Sequence, residues 1–131
     1  MKADVQRHLA SAELFLRESE YLLSGGFFGG TIGRAYYAMF HAATAVLLYK
    51  GIERSSHRGI LAAFGQFIAK PGLVDSALHK HFVEAFTLRN ECDYLAPLEA
   101  RESESRTILA RATAFVQACK RLCRDEPEFE R

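Results

Sequence analysis

Two segments of the chain carry charged and aromatic-polar side chains where a helix packed into a bundle is expected to be apolar. The first is Arg34-Ala-Tyr-Tyr-Ala-Met-Phe-His-Ala-Ala43, and the second is Arg89-Asn-Glu-Cys-Asp-Tyr94. Burying a charge costs several kcal/mol unless the charge is paired or hydrogen-bonded. Such groups on two separate helices therefore indicate a site that uses them.

In the second segment, Arg89 and Asp93 lie four residues apart and continue a helical stripe that begins with Phe82 and Phe86. One interpretation is an intrahelical ion pair worth a few tenths of a kcal/mol. However, this stripe is the one that the helix should bury, and polar groups in such a position often mark sites. We therefore expect the pair to line a cleft or a dimer interface.

In the first segment, Arg34, Tyr37 and His41 recur on one helix face. A core polar network is one interpretation, and for Tyr37 it is the simpler one, because a buried tyrosine hydroxyl normally finds a partner. Arg34 could instead bind a phosphate with two hydrogen bonds, and His41 could move a proton near neutral pH.

His57 lies in a polar segment beside Arg54 and Arg58. It is either a solvated loop histidine or part of a small basic cluster that binds phosphate, and the sequence leaves both interpretations open.

The sequence gives little support for a metal site or for a nucleotide-binding glycine loop. His79 and His81 project to different sides of one predicted helix, and the Glu-x-x-His spacing of di-iron bundles is absent. The glycines between residues 25 and 30 are not followed by the Lys-Ser/Thr of a phosphate-binding loop. We expect no metal and no cofactor.

Composition indicates an ordinary soluble domain. The chain has 131 residues, of which 49% are hydrophobic and 25% charged, and its formal net charge is +1. Binding to RNA or a nucleotide would therefore need a local cluster, which dimerisation could double. The absence of a bilayer-length apolar run and of a signal-peptide core predicts a cytoplasmic protein without membrane contact. Three cysteines in such a protein are expected to be reduced.

The helical periodicity predicts an all-α fold, an antiparallel up-and-down bundle of four long helices plus one short helix. A glycine-rich turn follows the first helix, and its Phe27 and Phe28 are expected to pack on the core. We expect residues 1–124 to form one domain and residues 125–131 to form a disordered tail. The first helix is expected over about Asp4–Leu23 and the second over about Thr31–Tyr49, with a stop at Gly51. A short third helix is expected to start at a Ser55 or Ser56 cap and to end at about Ala69. The fourth helix is expected to be capped by Asp75 or Ser76 and closed by Pro97, and the fifth to span about Glu99–Arg124.

Over residues 5–122 the sequence resembles the HEPN domains, which are small helical bundles. The resemblance rests on the 34–43 helix, on the Ser56-His57-x-Gly59 turn and on the Arg89-x-x-x-Asp93-Tyr94 end of the fourth helix. The first element is quite specific, and the two shorter ones occur in the matching order and spacing.

The resemblance implies a homodimer in which polar residues of the fourth helix face each other across a cleft. Many members of the family are metal-independent ribonucleases, often toxins that are neutralised by a partner, frequently a minimal nucleotidyltransferase. The implied chemistry is attack of an RNA 2′-hydroxyl on the neighbouring phosphate, with arginine stabilising charge and histidine moving a proton.

This chain departs from the catalytic pattern, in which a histidine follows the arginine after a short interval. Tyr94-Leu-Ala96 occupies the corresponding positions, and a tyrosine is a poor base at neutral pH. Either His41 or His57 supplies the proton transfer, or the protein binds RNA or a nucleotide without cutting it.

By this resemblance Arg89 binds phosphate, Asp93 orients it, Tyr94 contacts a base, a ribose or a partner, and His41 is the candidate proton carrier. The resemblance thus predicts a homodimer that binds RNA or a nucleotide at a cleft around Arg89 and Asp93, as one half of a toxin–antitoxin-like pair with a nucleotidyltransferase partner. The alternatives to this function are a non-enzymatic dimeric interaction module and an active metal-independent ribonuclease toxin.

Overall fold

The structure, a computed structural model, describes residues 2–94 and 102–124, and the side chains of Lys2, Asp93 and Tyr94 lie outside that description. All regular elements in these two ranges are helical, which confirms the predicted all-α class. They are α1 (Lys2–Ser24), α2 (Phe28–Tyr49), α3 (His57–Ala63), a π-helical segment (Phe64–Ala69), α4 (Ser76–Tyr94) and α5 (Glu102–Arg124).

The central element is α2, which packs against α1, α4 and α5 and also touches α3. It is central because apolar residues occupy most of its sides, and Tyr36 and Met39 are fully buried. Three phenylalanines form an aromatic cluster with ring centroids 5.0 to 6.0 Å apart: Phe64 of the π-helical segment, Phe82 of α4 and Phe115 of α5. The core that results draws residues from every helix.

Two glycines determine where α1 and α2 end. Gly26 and Gly51 have φ values of 82° and 81°, in the left-handed region that side chains disfavour. After Gly51, the Ile52 N–H donates to the Leu47 carbonyl at 2.8 Å, the pattern of a Schellman cap. The predicted stop at Gly51 is confirmed. The cap turns the chain back so that residues 52–56 lead into α3.

The start of α2 differs from the predicted one. The helix begins at Phe28 rather than Thr31, because the Thr31 N–H and hydroxyl both donate to the Phe27 carbonyl at 2.9 Å. Phe27 is 64% exposed, so the prediction that it packs on the core is wrong, whereas Phe28 is half-buried. The hydrogen bonds of this first turn carry the helix through Gly29 and Gly30.

The third helix has the predicted cap at Ser56, whose hydroxyl accepts from the Gly59 N–H at 2.8 Å. It does not continue as one α-helix to Ala69 but changes to π-helical geometry at residue 64. Beside this change, Nε2 of His79 on α4 lies 3.0 Å from the Leu61 carbonyl oxygen. A Cβ atom on Gly65 would lie only 2.6 Å from that nitrogen, so the absence of a side chain lets α4 approach.

The fourth helix begins beside Asp75, whose carboxylate accepts from the Ala77 N–H at 2.9 Å, and Phe82 is fully buried. The predicted stop at Pro97, the predicted start of the fifth helix at Glu99 and the predicted tail at residues 125–131 lie outside the described residues. In α5, burial raises the pKa of the Cys119 thiol, which packs as a core residue.

Within residues 2–94 and 102–124, no helix is both long and apolar enough to cross a bilayer.

Candidate functional site

The side chain of Arg89 reaches from α4 onto α2. Its Nη2–H donates to the Tyr37 hydroxyl at 2.6 Å, and its Nη1–H donates to the Asn90 side-chain oxygen at 3.0 Å. The guanidinium carbon lies 5.6 Å from the ring centroid of Tyr36 and 5.1 Å from that of Tyr37. Both distances are in the range of cation–π attraction, so two neighbouring tyrosines hold this half-buried charge in place.

Tyr36 connects Arg89 to the start of α3. Its ring is fully buried, and its hydroxyl lies 2.7 Å from Nδ1 of His57. Burial raises the pKa of Tyr36 well above its usual range, although the Arg89 charge acts in the opposite direction. The hydroxyl therefore keeps its proton at neutral pH. It donates to Nδ1 when the His57 proton lies on Nε2, and it accepts from Nδ1–H in the other tautomer.

His57 is the first residue of α3, and its ring stacks on Phe40 with centroids 4.2 Å apart and planes 15° apart. Partial burial lowers the pKa of His57, and the positive charge of Arg89 lowers it further. The imidazole is therefore neutral at pH 7. Tyr36, Tyr37, His57 and Arg89 together are called the Arg89 cluster below.

Of the residues predicted from the sequence, the structure brings Tyr37, His57 and Arg89 together. Asp93 and Tyr94 belong to the last turn of α4, one turn beyond Arg89, and their side chains lie outside the described residues.

Arg34 takes a different position. Its Nε lies 3.1 Å from a carboxylate oxygen of Glu18 on α1, and its guanidinium carbon lies 5.8 Å from the Phe15 ring centroid. Both members of this ion pair are more than 40% exposed, so the pair contributes little to stability. The contacts of Arg34 are with α1 rather than with the Arg89 cluster.

His41 also faces α1. Its Nδ1 lies 2.9 Å from Nδ1 of His8, and its ring stacks on Phe15 with centroids 5.4 Å apart. Burial lowers the pKa of His41, and the neighbouring His8 and His57 lower it further. The histidine within the Arg89 cluster is therefore His57, while His41 shares a hydrogen bond with His8.

Sequence reasoning missed His8 and Tyr36. His8 lies seven residues before Phe15, so helical spacing places both on one side of α1, next to the apolar stripe. Tyr36 lies among apolar residues on α2, and the signal that marks it is the hydroxyl for which a fully buried tyrosine needs a hydrogen-bond partner.

The described part of the chain contains no group of three or more histidine, cysteine or acidic side chains placed to hold a metal ion. The Arg89 cluster instead offers a fixed positive charge and hydrogen-bond donors among aromatic rings. Such a set of groups suits an anion carried on a flat, stackable molecule.

These helices and this cluster define an all-helical protein in which two adjacent tyrosines hold an arginine against the central helix. The family model described as HEPN domain matches residues 5–122. The chain therefore belongs to the HEPN family, as its sequence motifs predicted.

Three relatives match nearly the whole chain. "Putative toxin MJ0142" of Methanocaldococcus jannaschii is 30% identical over 120 residues, which cover 92% of this chain and 82% of that protein. "Putative toxin MJ0605" of the same organism is 26% identical and covers 95% and 92% of the two chains. A "UPF0332 protein" of Thermotoga maritima is 33% identical and covers 84% and 83%.

Proposed function

We propose that this protein is the toxin-like half of a toxin–antitoxin pair and that it binds RNA at the Arg89 cluster. Membership of the HEPN family supports this proposal, as do the two Methanocaldococcus jannaschii relatives that are named as toxins. The observation that carries it is the guanidinium of Arg89, held against Tyr36 and Tyr37 beside a neutral His57.

The cluster suits an RNA phosphate for three reasons. A guanidinium matches the geometry of a phosphate better than an ammonium does. In the tautomer in which the Tyr36 hydroxyl donates to Nδ1 of His57, the Nε2–H is a second donor for a phosphate oxygen. Finally, Tyr37 and Phe40 are half-buried, so part of each aromatic side chain is exposed to an approaching base.

Metal-independent cleavage of RNA is the second candidate, and the closeness of His57 to Arg89 favours it. In that reaction the 2′-hydroxyl oxygen loses its proton and bonds to phosphorus, while the bond from phosphorus to the 5′-oxygen breaks and that oxygen takes up a proton from water. His57 could accept the 2′-hydroxyl proton at Nε2 in the tautomer with a proton on Nδ1, in which Tyr36 accepts the hydrogen bond. The other tautomer, in which Tyr36 donates to Nδ1, suits binding without cleavage.

The same proposal includes an antiparallel up-and-down arrangement of the long helices, one domain spanning residues 1–124, a cytoplasmic location, and a homodimer whose cleft contains the Arg89 cluster. It also includes a partner protein of the nucleotidyltransferase type. The resemblance of the motifs to those of other HEPN proteins supports these parts, and Asp93 and Tyr94 are proposed to complete the site from the end of α4.

The experiment is to measure RNA binding and RNA cleavage by the wild type and by Arg89→Ala, with a chelator present throughout. Arg17→Ala is the matched control, because Arg17 is an exposed arginine on α1. We expect binding by the wild type and the control and a loss of about tenfold or more in Arg89→Ala, since hydrogen bonds to charged groups contribute about 1.5–3 kcal/mol.

Equal binding by all three proteins would disprove the site. Cleavage by the wild type that Arg89→Ala abolishes would establish the ribonuclease instead. A folded wild type that neither binds nor cleaves RNA would leave a non-enzymatic interaction module as the explanation of the cluster.

A further inference from the structure

A row of half-buried side chains runs along α2 from the Arg89 cluster towards the end of the helix. Tyr37, Phe40, His41 and Thr44 are all half-buried, although the residues on either side of this row are mostly buried. Because an α-helix rises 1.5 Å per residue, Thr44 lies about 10 Å beyond Tyr37 along the helix axis. The row therefore forms a path on the surface that starts at Arg89.

A cavity of about 300 Å³ lies at the far end of this path, where α1, α2 and the segment before α3 meet. Its lining includes the side chains of His8, Phe40, Thr44, Ile52, Glu53 and Arg54. Phe40 connects this cavity to the Arg89 cluster, because its ring also stacks on His57.

The lining combines flat apolar walls with a few hydrogen-bonding groups. Phe40 and Ile52 provide apolar surface. The Thr44 hydroxyl donates to the Phe40 carbonyl at 2.8 Å, so its oxygen is left to accept a hydrogen bond from a ligand. On the α1 side, Nδ1 of His8 is engaged with His41, which leaves Nε2 as the nitrogen that a ligand can use.

The two charged side chains at the rim of this cavity have opposite signs. Glu53 contributes a carboxylate and Arg54 a guanidinium, whose Nη1–H donates to the Glu53 main-chain carbonyl at 2.7 Å. A phosphate gains no net electrostatic attraction from two opposite charges. A neutral heterocycle that carries both N–H donors and ring acceptors can instead hydrogen-bond to both side chains. A nucleobase is that kind of molecule.

We propose that this cavity is a nucleobase subsite, which takes one unstacked base of a single-stranded RNA whose phosphate binds at the Arg89 cluster. This inference rests on the proposed RNA-binding function. The phosphate and base sites lie on one path, and Phe40 belongs to the walls of both. The base inserts beside Phe40, with Thr44 and the Glu53–Arg54 pair at its polar edge.

The test compares a short single-stranded RNA with versions that carry one abasic position, moved along the strand. We expect one position at which removal of the base weakens binding to the wild type by about 5- to 150-fold, the range found for one stacked base. Thr44→Leu fills the cavity with a larger apolar side chain. We expect this variant to bind the intact RNA as weakly as the wild type binds the abasic RNA. Removing the base at that position should then cause no further loss of affinity in the variant.

Arg54→Ala is the second variant, because Arg54 is exposed and its loss should not affect folding. We expect it to reduce the penalty at the same abasic position, while Arg17→Ala leaves that penalty unchanged. Thermal melting of each variant establishes that it is folded.

The outcomes separate this subsite from the proposed function. Binding that depends on Arg89 but is indifferent to every abasic position would overturn the subsite and keep the function. A position-specific penalty that persists in both Thr44→Leu and Arg54→Ala would place the base elsewhere and would also overturn the subsite. If the folded wild type bound no RNA, both proposals would fail together.

Discussion

The Nη2–H of Arg89 on α4 donates to the hydroxyl of Tyr37 on α2 at 2.6 Å, a contact between residues 52 positions apart in the chain. The guanidinium also lies against both tyrosine rings of α2, so its position depends on how α4 packs on the central helix. The proposed RNA binding and the packing of α4 on α2 therefore depend on the same side chain.

Arg89→Lys should fail to replace arginine even though it keeps the charge. An ammonium lacks the planar group that lies against the two tyrosines and cannot form two parallel hydrogen bonds to a phosphate. We expect RNA affinity to fall nearly as far as in Arg89→Ala, about tenfold or more, because the lost hydrogen bonds involve a charged group. Fluorescence anisotropy with a labelled RNA measures this, and Arg17→Lys is the control. Wild-type affinity in Arg89→Lys would mean that only the charge matters.

Tyr36→Phe should release His57 while keeping the buried ring. The substitution removes the hydroxyl that lies 2.7 Å from Nδ1, at a cost of about 1 kcal/mol in the free energy of unfolding. We expect RNA binding to weaken as well, because the imidazole loses a hydrogen bond that orients its ring. Chemical denaturation and ¹⁵N chemical shifts of the imidazole report the two effects separately. Unchanged stability together with unchanged ¹⁵N shifts would disprove the Tyr36–His57 hydrogen bond.

The protein should become less stable as the pH falls below about 6.5. Burial lowers the pKa of His8, His41 and His57 in the folded state. In the window between the lowered pKa values of the folded state and the ordinary histidine pKa, the unfolded chain therefore binds more protons than the folded chain. Stability therefore rises with pH through that window and is complete above it. Denaturation midpoints measured from pH 8 to pH 5 test this, and His8→Gln with His41→Gln should flatten the slope. A slope of the opposite sign would contradict it.

Gly65→Ala should destabilise the protein by about 1–3 kcal/mol, because overpacking at a close contact forces neighbouring groups apart. The added methyl group would lie 2.6 Å from Nε2 of His79, which is itself bonded to the Leu61 carbonyl. The matched control is Gly33→Ala in α2, where a Cβ meets nothing within 4 Å. There we expect stabilisation of about 0.5–1 kcal/mol from the higher helix propensity of alanine. Similar effects of the two substitutions would disprove the steric explanation.

The proposed homodimer should depend on the outer face of α4. Val83 is 38% exposed and lines both of two neighbouring grooves, of about 490 and 740 Å³. If a second copy covers this face, Val83→Glu places a charge in the interface, and the mass measured by light scattering should fall from dimer to monomer. Leu14→Glu, at a residue 46% exposed on α1, is the control and should remain dimeric. The opposite result would move the interface to α1.

Most of the fold could be predicted because its signals are local. The caps at Ser56 and Gly51 follow from residue type and spacing, and apolar periodicity marks the long helices. The start of α2 was harder to predict, because the glycines in its first turn disfavour a helix. The two hydrogen bonds from Thr31 to the Phe27 carbonyl, which stabilise that turn, are visible only in the structure. The exposure of Phe27 depends on the direction in which that turn leaves α1.

The composition of the site was only partly predictable, since it depends on how the helices are rotated against one another. The sequence places Arg34 and His41 on one stripe with Tyr37, yet only Tyr37 meets Arg89, because α1 occupies the space beside the other two. His57 comes from the start of a different helix. Its contact with Tyr36 requires the turn after α2 to bring it back, and no periodicity within one segment contains that information.

The ring of Phe40 is common to the two proposed binding positions, since it stacks on His57 and lines the cavity before α3. Two ligands that contact the same side chain can be linked thermodynamically. If a base analogue in the cavity changes the affinity of the Arg89 cluster for phosphate by some factor, phosphate must change the affinity for the analogue by the same factor. A protein built this way would distinguish a nucleotide from its separate parts through cooperativity, in addition to the contacts that each part makes.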